Sequence, residues 1–397
     1  MTDFAHAFAR RTRLRGDELT AILAGSPPGV LPMTGGFPNP ATFPTDELDQ
    51  LAARLVREDA SVALQYTPSE GIASVREYLL DRQEQLQGRR PERAELIVTS
   101  GGMDCIALMC QALIDPGDTI AVEAPSYLGA LTAFAGAEAE AVAIEMDDEG
   151  LRVDELAARL GAGLRPKFVY TIPEYQNPTG RTLSLDRRRE LVELCRRQGM
   201  LLFEDVAYRE LPFDGTTQPS LWSLAPDVVL QAGTFSKSFF PGVRLGWAVG
   251  PPEVIAELAT AKQNTDQCAG GLGQRLVEEY GRSGGFERHL PAARELYASH
   301  WAALSAALAR HMPEHVAWTE PAGGFLTWLT LPDQVDTLAM RPAALEAGVA
   351  YVPGSPFHVG ETGQNTHRLS FSHLTETELE TAVERLGAVV RGALAPV

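Results

Sequence analysis

Lysine is almost missing from this chain: 397 residues carry three lysines (Lys167, Lys237, Lys262) against 31 arginines. A sequence that writes nearly every cation as arginine has kept lysine where a guanidinium would not serve. An amine can lose its proton and attack a carbonyl, whereas the arginine side chain stays protonated. Cysteine is also scarce. The four (Cys105, Cys110, Cys195, Cys268) form no Cys-x-x-Cys pair, which argues against a disulfide framework and reads as reduced, buried thiols of an intracellular protein. No apolar run approaches the ~18 residues of a membrane span. Met1 to Arg15 is charged and lacks the apolar centre of a signal peptide, so a cytoplasmic protein without membrane partners is expected. Positive charge is short overall, and a net charge of −18 excludes nucleic acid as the main partner, since phosphate backbones call for a basic face.

What is present is an ordinary globular composition, 45% hydrophobic and 22% charged, long enough for two domains. Neither repeats nor low-complexity tracts interrupt it. Gly and Pro between Leu31 and Phe43 mark an extended connector after a short helix expected near Asp17 to Ala24. Short apolar strands then alternate with helices. The strands are expected at Leu96–Thr99, Thr119–Glu123, Phe168–Ile172, Leu201–Glu204, Val228–Gln231 and Leu245–Val249, with helices near Ser126–Gly136, over Leu185–Gln198 and over Pro252–Gln263. That alternation is the pattern of βα units around a mainly parallel sheet. After about Gly285 the pattern changes. A long helix, Gly285 to His311, leads to strands at Val316–Thr319, Phe325–Leu331, Val349–Val352 and Arg368–Phe371, and a last helix begins after an N-cap at Thr375. The expected division is 1–44 joining a small α+β domain, 45–284 as the large α/β domain, and 285–397 as the rest of the small domain.

Polar clusters follow the strands, where ligands of α/β sheets bind. Ser100-Gly101-Gly102-Met103 opens a helix and offers free backbone N–H groups to a phosphate; a plain strand-to-helix turn would look the same. Asp205 ends an apolar strand, where a carboxylate needs a cationic or N–H partner. A pyridinium N–H would be one, although a helix N-cap Asp is the simpler alternative. Tyr208 follows, within reach of a phenolic oxygen. Pro173 to Gly180 fixes a turn that presents the Asn177 amide. Lys237 lies among Ser236, Ser238 and Arg244, which could hold a phosphate while the amine forms a Schiff base, as pyridoxal-phosphate chemistry requires.

The Asn177-Pro-Thr-Gly turn, the Asp205-Val-Ala-Tyr208 segment and the run from Thr234-Phe-Ser-Lys237 to Arg244 resemble fold-type I pyridoxal-phosphate aminotransferases, the 2-aminoadipate and broad-specificity branch above all. Leu64 to Gly71, Ala124 to Tyr127 and Asn365 to Ser370 extend the resemblance over nearly the whole chain. It implies an α/β fold whose large domain has a mainly parallel seven-stranded sheet flanked by helices. It also implies pyridoxal 5'-phosphate bound at Lys237, the same amine moving a proton at the substrate Cα. Asp205 would pair with the ring nitrogen, Asn177 and Tyr208 with the phenolic oxygen, and Tyr127 would stack on the ring. Gly102, Met103, Ser236, Arg244 and Ser238 would hold the phosphate, and Tyr66 would reach the phosphate of a second subunit in a homodimer. Arg368 would grip the substrate α-carboxylate, with Asn177 and Gly36 beside it. An Arg of the N-terminal segment, Arg15, would meet a side-chain carboxylate, although Asp17, Glu18 and Leu19 stand where that helix would face the substrate. One departure is visible: many relatives carry a hydroxyl or Gln where this chain has Gly102 and Met103, so phosphate binding there must rest on backbone N–H groups.

Other readings are weaker. Thr234-Phe-Ser-Lys237 has Thr where a Ser-x-x-Lys acyl-transfer enzyme has its nucleophile, and the companion motifs are absent. Met312-Pro313 breaks the helix between His311 and His315, so no metal site is expected. Gly271-Leu-Gly273 lacks the strand a dinucleotide fold needs. A cofactor-sensing regulator would need a DNA-binding module. A lyase or decarboxylase on the same fold stays open, but Arg368 favours a substrate that keeps its α-carboxylate. The expected activity is transfer of the amino group of 2-aminoadipate, leucine or an aromatic amino acid to 2-oxoglutarate, by a ping-pong Schiff-base route.

Overall fold

A computed structural model describes residues 4–14, 20, 22 and 25–395. Its centre is one sheet whose spatial order is β2-β9-β8-β7-β6-β3-β4-β5. The strands are β2 (Leu96–Thr99), β3 (Thr119–Ala124), β4 (Glu140–Asp147), β5 (Gly150–Leu151), β6 (Phe168–Thr171), β7 (Leu201–Asp205), β8 (Val229–Thr234) and β9 (Gly246–Val249). From β8 across to β4 every pairing is parallel; β9 is antiparallel to both neighbours, and β5 forms a short antiparallel edge on β4. The sheet therefore has one two-residue strand beyond the seven expected.

Because side chains alternate along a strand, both faces of this sheet must be covered. Val98, Val169, Leu202 and Val229 enter one core, while Ile97, Tyr170, Phe203 and Leu230 enter the other. Helices Ala73–Gln87 and Leu185–Gln198 contribute to the first, and Gly102–Leu113 and Pro252–Gln263 to the second.

A smaller antiparallel sheet has the order β10-β11-β14-β13, from β10 (Ala317–Trp318), β11 (Leu326–Thr330), β13 (Val352–Pro353) and β14 (Thr366–Ser370). The stretch expected as one strand over Val349–Val352 is split at Tyr351. Its first half, β12 (Val349–Ala350), pairs in parallel with β1 (Leu31–Pro32), tying the N-terminal connector to the C-terminal part. The last helix, Glu376–Leu394, starts from a capping box in which Thr375 and Glu378 satisfy each other's backbone N–H. The helix expected over Asp17 to Ala24 lies outside the described residues, apart from Thr20 and Ile22. Among the described residues no helix is long and apolar enough to cross a membrane.

Candidate active site

The carboxyl ends of β2, β3, β6, β7 and β8 open at one edge of the large sheet, and antiparallel β9 starts there. Six polar segments far apart in sequence therefore meet. Lys237 sits on a single helical turn (Phe235–Ser238) whose N-cap, Thr234, ends β8 and accepts from the Ser236 N–H. The Lys237 ammonium donates to the Gly36 carbonyl at 2.8 Å and lies 5.9 Å from the centre of the Tyr208 ring. Withdrawal from water, with Arg368 and Arg244 nearby, lowers this amine to about 8 despite the opposing charge of Asp205.

Asp205 closes β7 on a buried carboxylate. It accepts from the Tyr170 hydroxyl at 2.9 Å and from the Ala207 N–H at 3.2 Å, and no cation bonds to it among the described residues. Burial pushes it up to about 6, so an N–H donor that carries positive charge would relieve it. Tyr208 is buried two residues beyond Val206, and its hydroxyl lies so near Gly36 that a Cβ there would approach it to 3.3 Å.

The loop after β2 and the start of β9 build a second cluster. Arg244 donates to the Ser236 hydroxyl at 3.2 Å and to the Ser100 carbonyl at 3.1 Å. Gly101 has φ of +102°, and a Cβ on it would stand 2.7 Å from the Arg244 guanidinium; only glycine meets both demands. It caps the helix Gly102–Leu113, whose first two amides, Gly102 and Met103, have no acceptor among the described residues. Two free N–H groups at a helix start, a hydroxyl and a guanidinium make an anion cradle. The Ser238 hydroxyl, two residues beyond Ser236 on the same turn, is buried without a hydrogen-bond partner among the described residues.

At the other end stands Arg368, in β14. It donates to Asn177 Oδ1 at 2.9 Å and to the Thr34 carbonyl, while its Nε is buried and unpartnered. Burial lowers it to about 10, with Tyr208 and Tyr127 opposing. Trp328 and Val352 are its register partners on either side. Both belong to an apolar cluster with Leu128, Phe357 and, from the N-terminal segment, Ile22. Phe357 lies under the Arg368 guanidinium at 5.1 Å.

The Asn177 turn is held from below. Gln176 donates to Glu123 at 3.0 Å and to the Pro125 carbonyl at 2.8 Å, and accepts from Thr179. That joins the turn to the Pro125-Ser126-Tyr127 loop. Burial pushes Glu123 up to about 7, against the Thr171 and Gln176 hydrogen bonds. Although burial raises Glu174, the charges of Arg188 and Arg209 hold it below the usual carboxylate range and link the turn to the Tyr208 segment.

Lys237, Asp205, Tyr208, Tyr127, Asn177, Ser236, Arg244, Gly102, Met103, Gly36 and Arg368 are therefore gathered at this edge. Tyr127 packs its ring over Gly129 and is pushed up to about 12 by burial, with the Asp205 charge adding and Arg368 and Arg244 opposing. Tyr66 is 80% exposed and bonds none of these groups among the described residues. Arg15 lies outside the described residues. The sequence alone does not single out Tyr170, which reads only as part of an apolar strand, or the carbonyl of Thr34; Gly36, expected beside the α-carboxylate, offers its carbonyl to Lys237. A hydroxyl in the middle of a Phe-Val-Tyr-Thr strand was the available signal for Tyr170.

These groups fit pyridoxal 5'-phosphate on their own chemistry. A lysine close to neutrality can bond its aldehyde, and a buried carboxylate lacking a cation suits its ring N–H. The cradle suits its phosphate, and an arginine with a spare N–H suits a substrate carboxylate.

Residues 39–386 match the family model described as aminotransferase class I and II. The chain is 38% identical over 372 residues to a 2-aminoadipate transaminase of Thermus thermophilus, covering 93% of this chain and 92% of that one. It is 36% identical over 367 residues to aromatic-amino-acid aminotransferase 1 of Thermococcus litoralis, covering 91% and 88%. It is also similar to the solved structure of an alpha-aminoadipate aminotransferase from Thermus thermophilus complexed with N-(5'-phosphopyridoxyl)-L-leucine. There the TM-score is 0.93, at 35% identity and with 100% of both chains covered.

Proposed function

This chain belongs to the class I and II aminotransferases, enzymes that use pyridoxal 5'-phosphate, and from that premise we propose that it moves the amino group of 2-aminoadipate, leucine or an aromatic amino acid to 2-oxoglutarate. The observation that carries this reading is the position of Lys237, between an anion cradle on one side and Arg368 on the other.

When bound, the cofactor supplies an aldehyde to take the amino group and an electron-withdrawing ring to hold the charge left at Cα. This chain's residues do the rest. Lys237 would hold the cofactor through its amine and, when that amine is free, would move the proton at the substrate Cα. Asp205 would keep a proton on the ring nitrogen, and Asn177 and Tyr208 would hold the phenolic oxygen. Ser236, Arg244 and the amides of Gly102 and Met103 would hold the phosphate, and Tyr127 would pack against the ring. Arg368 would orient the α-carboxylate through a two-pronged bond, for which its unpartnered Nε–H and a second N–H of a terminal nitrogen remain available beside the bonds to Asn177 and Thr34. The division into 1–44, 45–284 and 285–397 puts the site where these parts meet.

Two features set the donor. The apolar surface of Leu128, Trp328, Val352, Phe357 and Ile22 beside Arg368 suits leucine and aromatic side chains, in keeping with the leucine adduct held by the solved relative. Similarity to a 2-aminoadipate transaminase supports an acidic donor, for which Arg15 is the proposed partner. A panel of amino acids with 2-oxoglutarate tests the activity. In Arg15→Ala, kcat/KM should fall by roughly 2–5 kcal/mol in transition-state terms for 2-aminoadipate and stay unchanged for leucine. Equal losses for both donors would remove Arg15 from specificity, and no turnover with any member would overturn the proposal.

The active unit is a homodimer in this reading. Tyr66, Leu64 and Val62 are exposed together at 80%, 59% and 39%, an apolar strip suited to a symmetric interface. Sedimentation should give a dimer, and Tyr66→Phe should weaken cofactor binding. A fully active monomer would rule this out.

A further inference from the structure

Lys262 is fully buried, and the chemistry above makes no use of it. Its ammonium donates to Asp104 at 2.8 Å, to both oxygens of Asp266 at 2.9 Å and to the Ser100 hydroxyl at 3.3 Å. The two carboxylates in turn hold Ser100. Asp104 accepts the Ser100 N–H at 2.8 Å, and Asp266 accepts its hydroxyl. The remaining polar group of Ser100, its carbonyl, accepts from Arg244. Every polar atom of the residue that begins the cradle is therefore committed: two of its four bonds run to carboxylates that Lys262 pairs, and a third comes from Lys262 itself.

Charge sharpens the point. Two carboxylates behind a site for a phosphate monoester, which carries about −1.5 to −2 at pH 7, would repel it. One ammonium between them removes half of that charge.

We propose that Lys262 is a positioning residue for the cofactor's phosphate, neutralising Asp104 and Asp266 and so fixing Ser100, Gly101 and Arg244 in the arrangement that receives the anion. This rests on the cradle reading given above. The alternative is an ion pair that only joins helix Pro252–Gln263 to helix Gly102–Leu113.

The two differ in ligand dependence. Apoprotein is titrated with pyridoxal 5'-phosphate and, separately, with pyridoxal, which lacks the phosphate, following visible absorbance. Lys262→Met should weaken the phosphorylated ligand by about tenfold or more, the scale of a lost outer partner, and leave pyridoxal unchanged; Lys262→Arg should restore most of the preference. If circular dichroism shows Lys262→Met unfolded, Lys262→Gln, which can still hydrogen-bond Ser100, is read in its place. Equal weakening of both ligands, or of neither, would overturn the proposal. Arg244→Ala is the control for the cradle. A preference intact in that variant removes the cradle and this inference with it. A preference lost there but kept in Lys262→Met overturns the role of Lys262 alone.

Discussion

Two of this protein's three lysines are withdrawn from water within the same fold, and their surroundings differ in one respect. Lys262 is ringed by carboxylates, donating to Asp104 and Asp266. Lys237 donates to the Gly36 carbonyl, with Arg368 and Arg244 as cationic neighbours and Asp205 as counter-charge. The same side chain is ion-paired in one setting and an amine near neutrality in the other. Burial and the neighbouring Arg368 lower the Lys237 amine, whereas Lys262 is buried with two carboxylates bonded to it.

The largest expected effect breaks the pair apart. Lys237→Ala should cost roughly three or more orders of magnitude in kcat, because it removes both the covalent anchor and the proton carrier. Lys262→Met, at saturating cofactor, should keep most of its kcat. Steady-state rates on both variants decide it, and comparable losses would erase the distinction.

A smaller effect sharpens it. Lys237 is depressed from its ordinary 10.5 to about 8, so its neutral form predominates above about pH 8. Capture of the cofactor aldehyde by apoprotein should speed up as pH rises towards 8 and then level off. Arg368→Gln removes a cationic neighbour, so the bend should move to higher pH. A rate that climbs on past pH 9 in the wild type would show that the pocket does not depress the amine.

Much of this was legible in sequence, for definite reasons. Helices Leu185–Gln198, Pro252–Gln263 and Gly285–His311 begin where expected, because Ser184 caps the first, proline opens the second, and Gly284, in the left-handed region, precedes the third. The strand Glu140–Asp147 escaped. It reads Glu-Ala-Val-Ala-Ile-Glu-Met-Asp, in which Val142 and Ile144 are outnumbered by acids and alanines of low strand propensity, and it pairs in parallel with Thr119–Ala124. The polar segments of the site were readable because each follows its strand immediately. What supports them was not. The Tyr170–Asp205, Gln176–Glu123 and Lys262–Asp104 contacts join positions that only the fold brings together. Lys262 did leave a trace, as one of three lysines, but nothing in its local sequence separates an ion-paired lysine from a surface one.

The central claim is that the covalent chemistry belongs to Lys237. Holoenzyme reduced with borohydride, digested and mapped by mass spectrometry tests it directly. The account predicts one pyridoxyl-labelled peptide, carrying the group on Lys237. A label on Lys262 or Lys167 would contradict it.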